Sequence, residues 1–481
     1  MHKRPNIVVI VMDALRSQNL TIYGYSKPTC PFMSKLASKG VVFENFYSTT
    51  DQTDPSFTTI FSGRHPLVHG IVRHGHNVTK GMVSTFFSTG TLLISEILSR
   101  NGYVTVGLDW LSRWHKVGYK YYGSIVDLSK IFRKRAFLAR MRPVRLHRKL
   151  VEFIASIPYR SVYEKIASGI IKISYFYDKD AFNCFHIAKE IIKEISRPFF
   201  LMIHLWDTHT PYTNIPKYIV KEFYEEPNGE KIEEMVKRIK NTTWRNLVLR
   251  VHLRGIKYVS EIEAKYNAAI KYVDEKLREF YEFLEEIDIV NNTYIIITSD
   301  HGDNLIRNGI YIGHGGLFQR VIKVPLIIAG PKIPSGKRIK PYAQHIDLFT
   351  TILSLANIKH PKNYYVSGKN LLKVIETGEE IHDYLLVISS TAPERYALIK
   401  DNYKYVYSPT KEKAMDKYGG IWFQSVKELY DLRKDVDDRE NLVHTSPDLA
   451  LEMERHLIRA VREMVKTRLK LIIKHKVKHL I

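Results

Sequence analysis

Two segments far apart in the chain each end an apolar run in an acid. One is Asn6-Ile-Val-Val-Ile-Val-Met-Asp13, and the other is Thr293-Tyr-Ile-Ile-Ile-Thr-Ser-Asp300-His301-Gly302. Runs so rich in Val and Ile predict buried parallel strands. Ligand sites of open α/β sheets lie just beyond the carboxyl ends of the strands, so Asp13, Asp300 and His301 are expected to meet. Two carboxylates and an imidazole suit a divalent metal. Between them, the segment Gln52-Thr53-Asp54-Pro55-Ser56-Phe57 carries a helix-start pattern, with Thr53 or Asp54 as cap, Pro55 at the first helical position and Gly63 as the stop. The N–H groups and dipole of such a helix end favour an anion. A hydroxyl there, ionised by a metal, can attack a bound phosphoryl or sulfuryl group. Thr53 is therefore the candidate nucleophile and a further metal ligand. Each segment alone reads as an ordinary strand end or capped helix; together they define a site. Arg16, three residues after Asp13, can neutralise that site or pair with an acid.

The elements that must position these residues alternate between strand and helix. A third buried strand is expected at Pro198-Phe-Phe-Leu-Met-Ile-His-Leu-Trp206, with His204 inside its apolar pattern and read as core. The alternation breaks at about residues 125–195. There Leu128 to Val151 carries nine Lys or Arg and no acid, and reads as a basic amphipathic helical insertion broken near Pro143. A second insertion-like stretch, helical and mixed in charge, runs from about 214 to 260. The expected fold is a three-layer α/β domain over about 1–380, with a mixed sheet and helices on both faces. A smaller C-terminal α+β subdomain follows at 381–445, where Glu428–Leu432 pairs with Tyr403–Tyr407. A basic amphipathic helix at 446–481 ends the chain. From Arg455 to Ile481 it has nine Lys or Arg, one acid (Glu463) and an apolar stripe through Leu457, Val461, Met464, Val465, Leu469, Ile472 and Ile473.

As an ordered set, these motifs resemble the sulfatase branch of the alkaline phosphatase superfamily. The opening PNIVVIVMDALRSQNLTIYGY is similar to its first strand and loop, and TDPSFTTIFSGRHPLVHGI to its nucleophile segment. YNAAIKYVD (Tyr266–Asp274) resembles the helix before the second metal strand, and SDHGDNLIRNGIYIGHGG the second metal segment. VPLIIAGP, QHIDLFTTILSLANI and ELYDLRKDVDDRENL follow in family order. The resemblance covers roughly residues 5–110 and 195–445, and implies an alkaline-phosphatase-like fold. It also implies substrate roles for two histidines. His209 lies in Asp207-Thr-His-Thr-Pro-Tyr, similar to the family's D-x-H-x-P-Y, and His314 lies in the G-H-G after the metal segment. Either can bind an equatorial oxygen or protonate a leaving alkoxide. If Asp207, His209 and His314 all ligated, a second ion would bind; the short spacing of the first two favours one ion.

The departures are as informative. Sulfatases carry a Cys or Ser that becomes formylglycine, whereas this position is Thr53, so no formylglycine is expected. The following Arg is Phe57, the second acid of the usual Asp-Asp pair is Ala14, and Asp109 stands near the place of an expected Lys. An Asp13, Thr53, Asp300, His301 set resembles the phosphonate monoester hydrolases and phosphoglycerol transferases of the superfamily. An imidazole ligand favours Mn²⁺ or Zn²⁺, with Ca²⁺ and Mg²⁺ the harder alternatives. The expected activity is metal-dependent hydrolysis of sulfate, phosphate or phosphonate esters. The alternatives are a phosphoglycerol or phosphoethanolamine transferase at a membrane surface, and a non-catalytic anion-binding protein on the same fold.

Composition bounds the rest. At 481 residues and 44% hydrophobic content the chain can bury a large core. Two cysteines, Cys30 and Cys184, do not make a disulfide scaffold. No apolar run reaches the ~18–20 residues of a membrane span, and no signal is read before the first strand. A cytoplasmic location is therefore expected, peripheral to the inner membrane surface if the C-terminal helix lies on anionic lipid. The net charge of +23 attracts anionic surfaces and substrates. With no nucleic-acid recognition fold in the pattern, sulfated or phosphorylated glycans or lipids rank above nucleic acid as partners. The Lys, Glu, Ile and Tyr richness is compatible with a thermophilic source.

Overall fold

The computed structural model describes residues 4–124, 180–212, 214–224, 229–391, 394–409 and 425–478. Its centre is an eight-stranded mixed sheet. Its strands are β1 (Asn6–Met12), β2 (Gly40–Phe43), β4 (Val104–Leu108), β5 (Tyr121–Gly123), β6 (Phe199–Leu205), β7 (Thr293–Ser299), β10 (Leu326–Ala329) and β11 (Lys337–Ile339). They lie in the order β11-β2-β10-β7-β1-β6-β4-β5. The short strands β3 (Phe46–Tyr47) and β12 (Ala343–Gln344) pair with each other, as do β8 (Ile306–Arg307) and β9 (Ile310–Tyr311). β1 runs parallel to both β6 and β7, while β10 is antiparallel to β7 and β2. A central strand with parallel neighbours is covered on both faces, which is why all seven residues of β1 are apolar or buried.

Alternation along β1 sends side chains to two different cores. Val8, Ile10 and Met12 pack with helices α1 (Pro31–Ser38), α4 (Ala181–Glu194) and α5 (Ser260–Glu286). Ile7, Val9 and Val11 pack with α2 (Thr53–Ser62), α3 (Ile94–Arg100) and α6 (Asp347–Leu355). These are the three layers expected. The YNAAIKYVD motif lies in α5 and works by hydrogen bonding. The Tyr266 hydroxyl accepts from Arg16 N and donates to the Ala14 carbonyl, at 2.9 and 2.8 Å. Asp274 accepts from the Phe32 and Met33 amides, both at 2.7 Å, and so caps α1 from outside. Together they tie the loop after Asp13 to the helix layer.

The C-terminal strands β13 (Leu385–Ile388), β14 (Tyr396–Lys400), β15 (Tyr403–Tyr407) and β16 (Lys427–Asp431) form an antiparallel meander. Tyr403 pairs with Asp431 and Tyr407 with Lys427. Helix α7 (Pro447–Lys478) buries Ala450, Met453, Leu457 and Ala460 against this sheet. Farther along, Leu469, Ile473 and Val477 are 54, 63 and 48% exposed. The basic insertion expected at 125–195 lies outside the described residues up to 179, and its described end is α4. Among the described residues, no helix is long and apolar enough to cross a membrane.

Candidate active site

The site is built by strand register. Met12 lies opposite Ser299 on β7 and Leu205 on β6, so the next residues, Asp13 and Asp300, emerge side by side at the sheet's carboxyl edge. Ala14, in the left-handed region at φ 60°, turns its N–H onto Asp300 Oδ1 at 3.2 Å. The His301 amide donates to the same oxygen at 2.8 Å. Gly302 must be glycine, because a Cβ there would lie 2.1 Å from the Arg320 carbonyl oxygen. Four buried ligand atoms have no hydrogen-bond partner: both Asp13 carboxylate oxygens, Asp300 Oδ2 and His204 Nε2. Asp13, His204 and Asp300 bring ligand atoms within 4.8 Å of one another. His301 Nε2 lies 3.7 Å from Asp13 Oδ1 and 3.5 Å from Asp300 Oδ2.

The reading of His204 as a core residue is corrected here. His204 pairs in register with Val11 and shares the α2 side of the sheet with Phe200 and Met202. Its ring, fully buried, points into the carboxylate cluster. Nδ1 meets Asp109 Oδ1 at 2.9 Å, and the faces are covered by Trp110 and Phe57, with centroids at 3.8 and 4.2 Å. Asp109 also accepts from the Tyr122 hydroxyl and the Trp110 amide.

Three further imidazoles face the cluster in one fixed tautomer. His301 Nδ1 donates to the Gly302 carbonyl, His314 Nδ1 to that of Asp51 and His209 Nδ1 to that of Thr210, at 2.9, 3.0 and 2.8 Å. A carbonyl can only accept, so each ring presents Nε2 to its other side. His314 stacks on His301 at 4.2 Å, and His209 follows at 5.4 Å from His314. His252, from the stretch at 214–260, extends the row at 6.2 Å from His209 and meets Thr210 Oγ1 at 2.8 Å. Sequence reasoning missed it, since no periodicity marks that stretch. Asp207 turns away toward the start of α4, where burial and nearby Asp180 hold its carboxyl well above the usual range. The three-residue second metal set is therefore not assembled. Arg16 lies buried beneath the site. Its guanidinium sits over the Tyr266 ring, bonds Asn19 Oδ1 and reaches the carbonyls of Asp303 and Asn304 at 3.4 and 3.5 Å.

Thr53 opens α2, with its Oγ1 3.5 Å from His301 Nε2. The expected start is shifted: Gln52, in extended conformation, is the cap residue and makes no side-chain cap bond. Pro55 therefore falls at the third helical position, while Gly63 closes the helix as expected, at φ 66°. Asp54 points the other way, into a buried cluster. Its carboxylate meets His74 Nδ1 and His115 Nε2, both at 3.0 Å, and Arg113 at 2.5 Å.

Charge in this buried volume is set by partners. Although burial opposes its charge, His209, His204 and His301 hold the Asp13 carboxyl below the usual range. Burial and then Asp13 push Asp300 up to about 7. Against burial, Asp109 and Asp13 raise His204 to about 9. Burial keeps His301 well below an ordinary imidazole.

Comparison with known proteins shows the family. The Sulfatase family model matches residues 5–358. The chain belongs to the sulfatase family. A sulfatase of Formosa agariphila is 22% identical over 84% of this chain and 78% of its own length. The human N-acetylgalactosamine-6-sulfatase is 24% identical over 78% of this chain and 66% of its own. Among solved structures, the phosphonate monoester hydrolase of Agrobacterium radiobacter superposes with a TM-score of 0.67 at 20% identity, covering 96% of each chain. A protein solved with its substrate D-glucosamine-2-N,6-O-disulfate also gives 0.67, at 16% identity, over 97% of this chain and 99% of that one. The fold is thus alkaline-phosphatase-like, and family and relatives together support a sulfuric ester hydrolase.

One expectation is corrected by this membership. The sequence reading had no formylglycine and a threonine nucleophile, whereas sulfatases of this family typically use formylglycine and the relatives found are sulfatases. A threonine does not fit that group, because oxidation at its Cβ gives a methyl ketone rather than an aldehyde.

Proposed function

We propose that the protein is a metal-dependent hydrolase of anionic esters. Its nucleophilic oxygen is the one on Cβ of residue 53, and the substrate is a sulfated or phosphorylated glycan or lipid. The observation that carries the reading is the convergence of unpartnered Asp13 and Asp300 carboxylate oxygens beside Thr53 Oγ1 at a helix N-terminus. Orphaned buried anions on this scale are costly unless a cation is shared among them. Asp13, Asp300, His301 and Thr53 would hold it, and a divalent ion so bound supplies charge stabilisation at the ester oxygens and acidifies a hydroxyl.

The chain's own residues do the remainder. Thr53 Oγ1 gives its proton to solvent and forms a bond to sulfur or phosphorus, while the bond to the ester oxygen breaks. His314, in its imidazolium form, gives the Nε2 proton to the departing alkoxide, and His209, likewise doubly protonated beside the bound anion, donates its Nε2–H to an equatorial oxygen. Water then cleaves the residue 53 ester and releases sulfate from a sulfate ester, a phosphate monoester from a phosphodiester, or a phosphonate from a phosphonate monoester. Phosphodiesters and phosphonate monoesters are included because each carries one negative charge, as a sulfate monoester does, and because Phe57 removes the Arg that follows the nucleophile in the family pattern.

The test is metal analysis of the purified protein, turnover of p-nitrophenyl sulfate, phosphodiester and phosphonate substrates, and intact mass of residue 53. Loss of metal and of turnover in Asp300→Ala is expected. Full turnover in excess chelator refutes the metal centre. A sulfate preference of about 100-fold or more, about 2.7 kcal/mol, refutes the diester part.

A further inference from the structure

We infer that His204 is itself a ligand of the metal centre, with Asp109 as its hydrogen-bonded support, and that the centre therefore takes a zinc-like cation in preference to calcium. The inference rests on the proposed centre and adds to it a residue from a third strand. The ring is fixed on three sides, by Trp110 and Phe57 on its faces and by Asp109 Oδ1 at Nδ1. Only Nε2 is left, buried and without a partner, and it points at Asp13 and Asp300. Its distance to Asp13 Oδ2 is 3.6 Å, too long for a hydrogen bond. Two ligands about 2.1 Å from one ion at a tetrahedral angle lie about 3.4 Å apart. His204 lies 3.6 Å from Asp13, and His301 lies 3.7 Å from Asp13 and 3.5 Å from Asp300, separations that match that edge better than any direct bond.

The chemistry follows from the donor types. Calcium takes six to eight oxygens. Two imidazoles, two carboxylates and the Thr53 hydroxyl are a borderline, mixed nitrogen and oxygen set of the kind that holds zinc and its neighbours. A carboxylate on the far nitrogen is the usual partner of a ligating imidazole, since it fixes the tautomer and raises ligand basicity. The ring's sandwich makes the arrangement rigid. A free counter-ion role would need no such support and would place Nε2–H within hydrogen-bond reach of Asp13.

The experiment uses the full chain, stripped with chelator and titrated with Zn²⁺, Ca²⁺ or Co²⁺ against a chromophoric competitor. Folding of each variant is confirmed by circular dichroism. His204→Gln should weaken Zn²⁺ binding by more than ~100-fold, beyond the range typical of supporting residues. It should narrow the Zn²⁺ over Ca²⁺ preference and lower the intensity of the Co²⁺ visible bands. Asp109→Asn leaves the imidazole in place and should cost ~10- to 100-fold in Zn²⁺ affinity, so it tests the inference even if His204→Gln folds poorly. Unchanged or tighter Zn²⁺ binding and an unchanged Co²⁺ spectrum in His204→Gln, with metal lost in Asp300→Ala, overturn the role of His204 and leave the proposed centre standing. Wild-type Zn²⁺ affinity in Asp300→Ala removes the centre and the inference together.

Discussion

Protonating His345 should cost the fold more than protonating any surface histidine, and the cost can be isolated. His345 is fully buried. Its Nε2–H donates to the Ser299 carbonyl at 2.8 Å, one residue before Asp300, and its Nδ1 has no partner. Burial holds this imidazole down to about 3, against an ordinary 6.5. The folded pKa is depressed, so the unfolded chain takes a proton that the native state refuses. The stability contributed by neutral His345 is therefore complete above pH 6.5 and is lost as pH falls toward 3. At pH 4.5 the loss is two pH units' worth, about 2.7 kcal/mol at 1.36 kcal/mol each. Other groups titrate in the same window; burial, for one, raises Asp274 to about 6. The measurement must therefore be a difference. His345→Gln keeps an N–H for Ser299 and removes the titration. Urea midpoints of wild type and variant, in chelator, are compared at pH 8.0 and pH 4.5. The stability deficit of the variant should shrink by about 2.7 kcal/mol at the lower pH. An equal deficit at both pH values, within about 0.5 kcal/mol, refutes the assignment of a neutral buried His345.

Three further outcomes are expected. His65 behaves likewise, since burial holds it down to about 4 and its Nδ1 accepts from the Leu67 amide; the stability deficit of His65→Gln should therefore also shrink, by about 2.6 kcal/mol between pH 8.0 and pH 4.5, read from the same urea midpoints, and an equal deficit at both would refute it. Thr53→Ala should melt within a few degrees of wild type, because Gln52 and not Thr53 is the cap residue of α2, yet its kcat should fall at least ~10³-fold; unchanged turnover would end the nucleophile assignment. His314→Ala should lose more rate on alkyl than on nitrophenyl esters, because acid catalysis matters most for basic leaving groups; equal losses on both would exclude it as the proton donor.

How much of this was legible in the sequence depended on whether a residue's position followed from strand ends. Asp13 and Asp300 were, because two apolar runs in parallel register must deliver their next residues to the same edge. The pairing of Glu428–Asp431 with Tyr403–Val406 was expected from the family-like ELYDL segment and the apolar strand near it, and it forms. His204 was in principle legible and was misread. Counting alternate residues back from the strand end puts it on the face of Phe200 and Met202, level with Val11, and hence two residues from Asp13 on the same side. His252 and the Asp54 cluster were not, since both depend on loops whose paths no periodicity records. Asp207 was weighed only as part of a second metal set that its short spacing to His209 disfavoured, and its carboxyl lies toward Asp180 at the start of α4.

The departures from the family pattern also make sense together rather than singly. Replacing an Arg by Phe57 and a Lys by Asp109 would, taken one at a time, strip two cations from an anion-binding centre. In the structure both residues touch the same ring. Phe57 covers one face of His204, and Asp109 holds its Nδ1. That imidazole is placed against Asp13 rather than against open solvent. The charge of the centre is then governed by what binds between His204, Asp13 and Asp300, rather than by long basic side chains. A site so arranged should depend on its cation more steeply than a relative that keeps the Arg and Lys. Phe57→Arg should disturb it rather than restore it, because the guanidinium would displace the packing that fixes His204. Zn²⁺ affinity of Phe57→Arg, measured as for His204→Gln, is the direct check: tighter binding in that variant would show that the lost Arg, and not the imidazole, is the element the centre lacks.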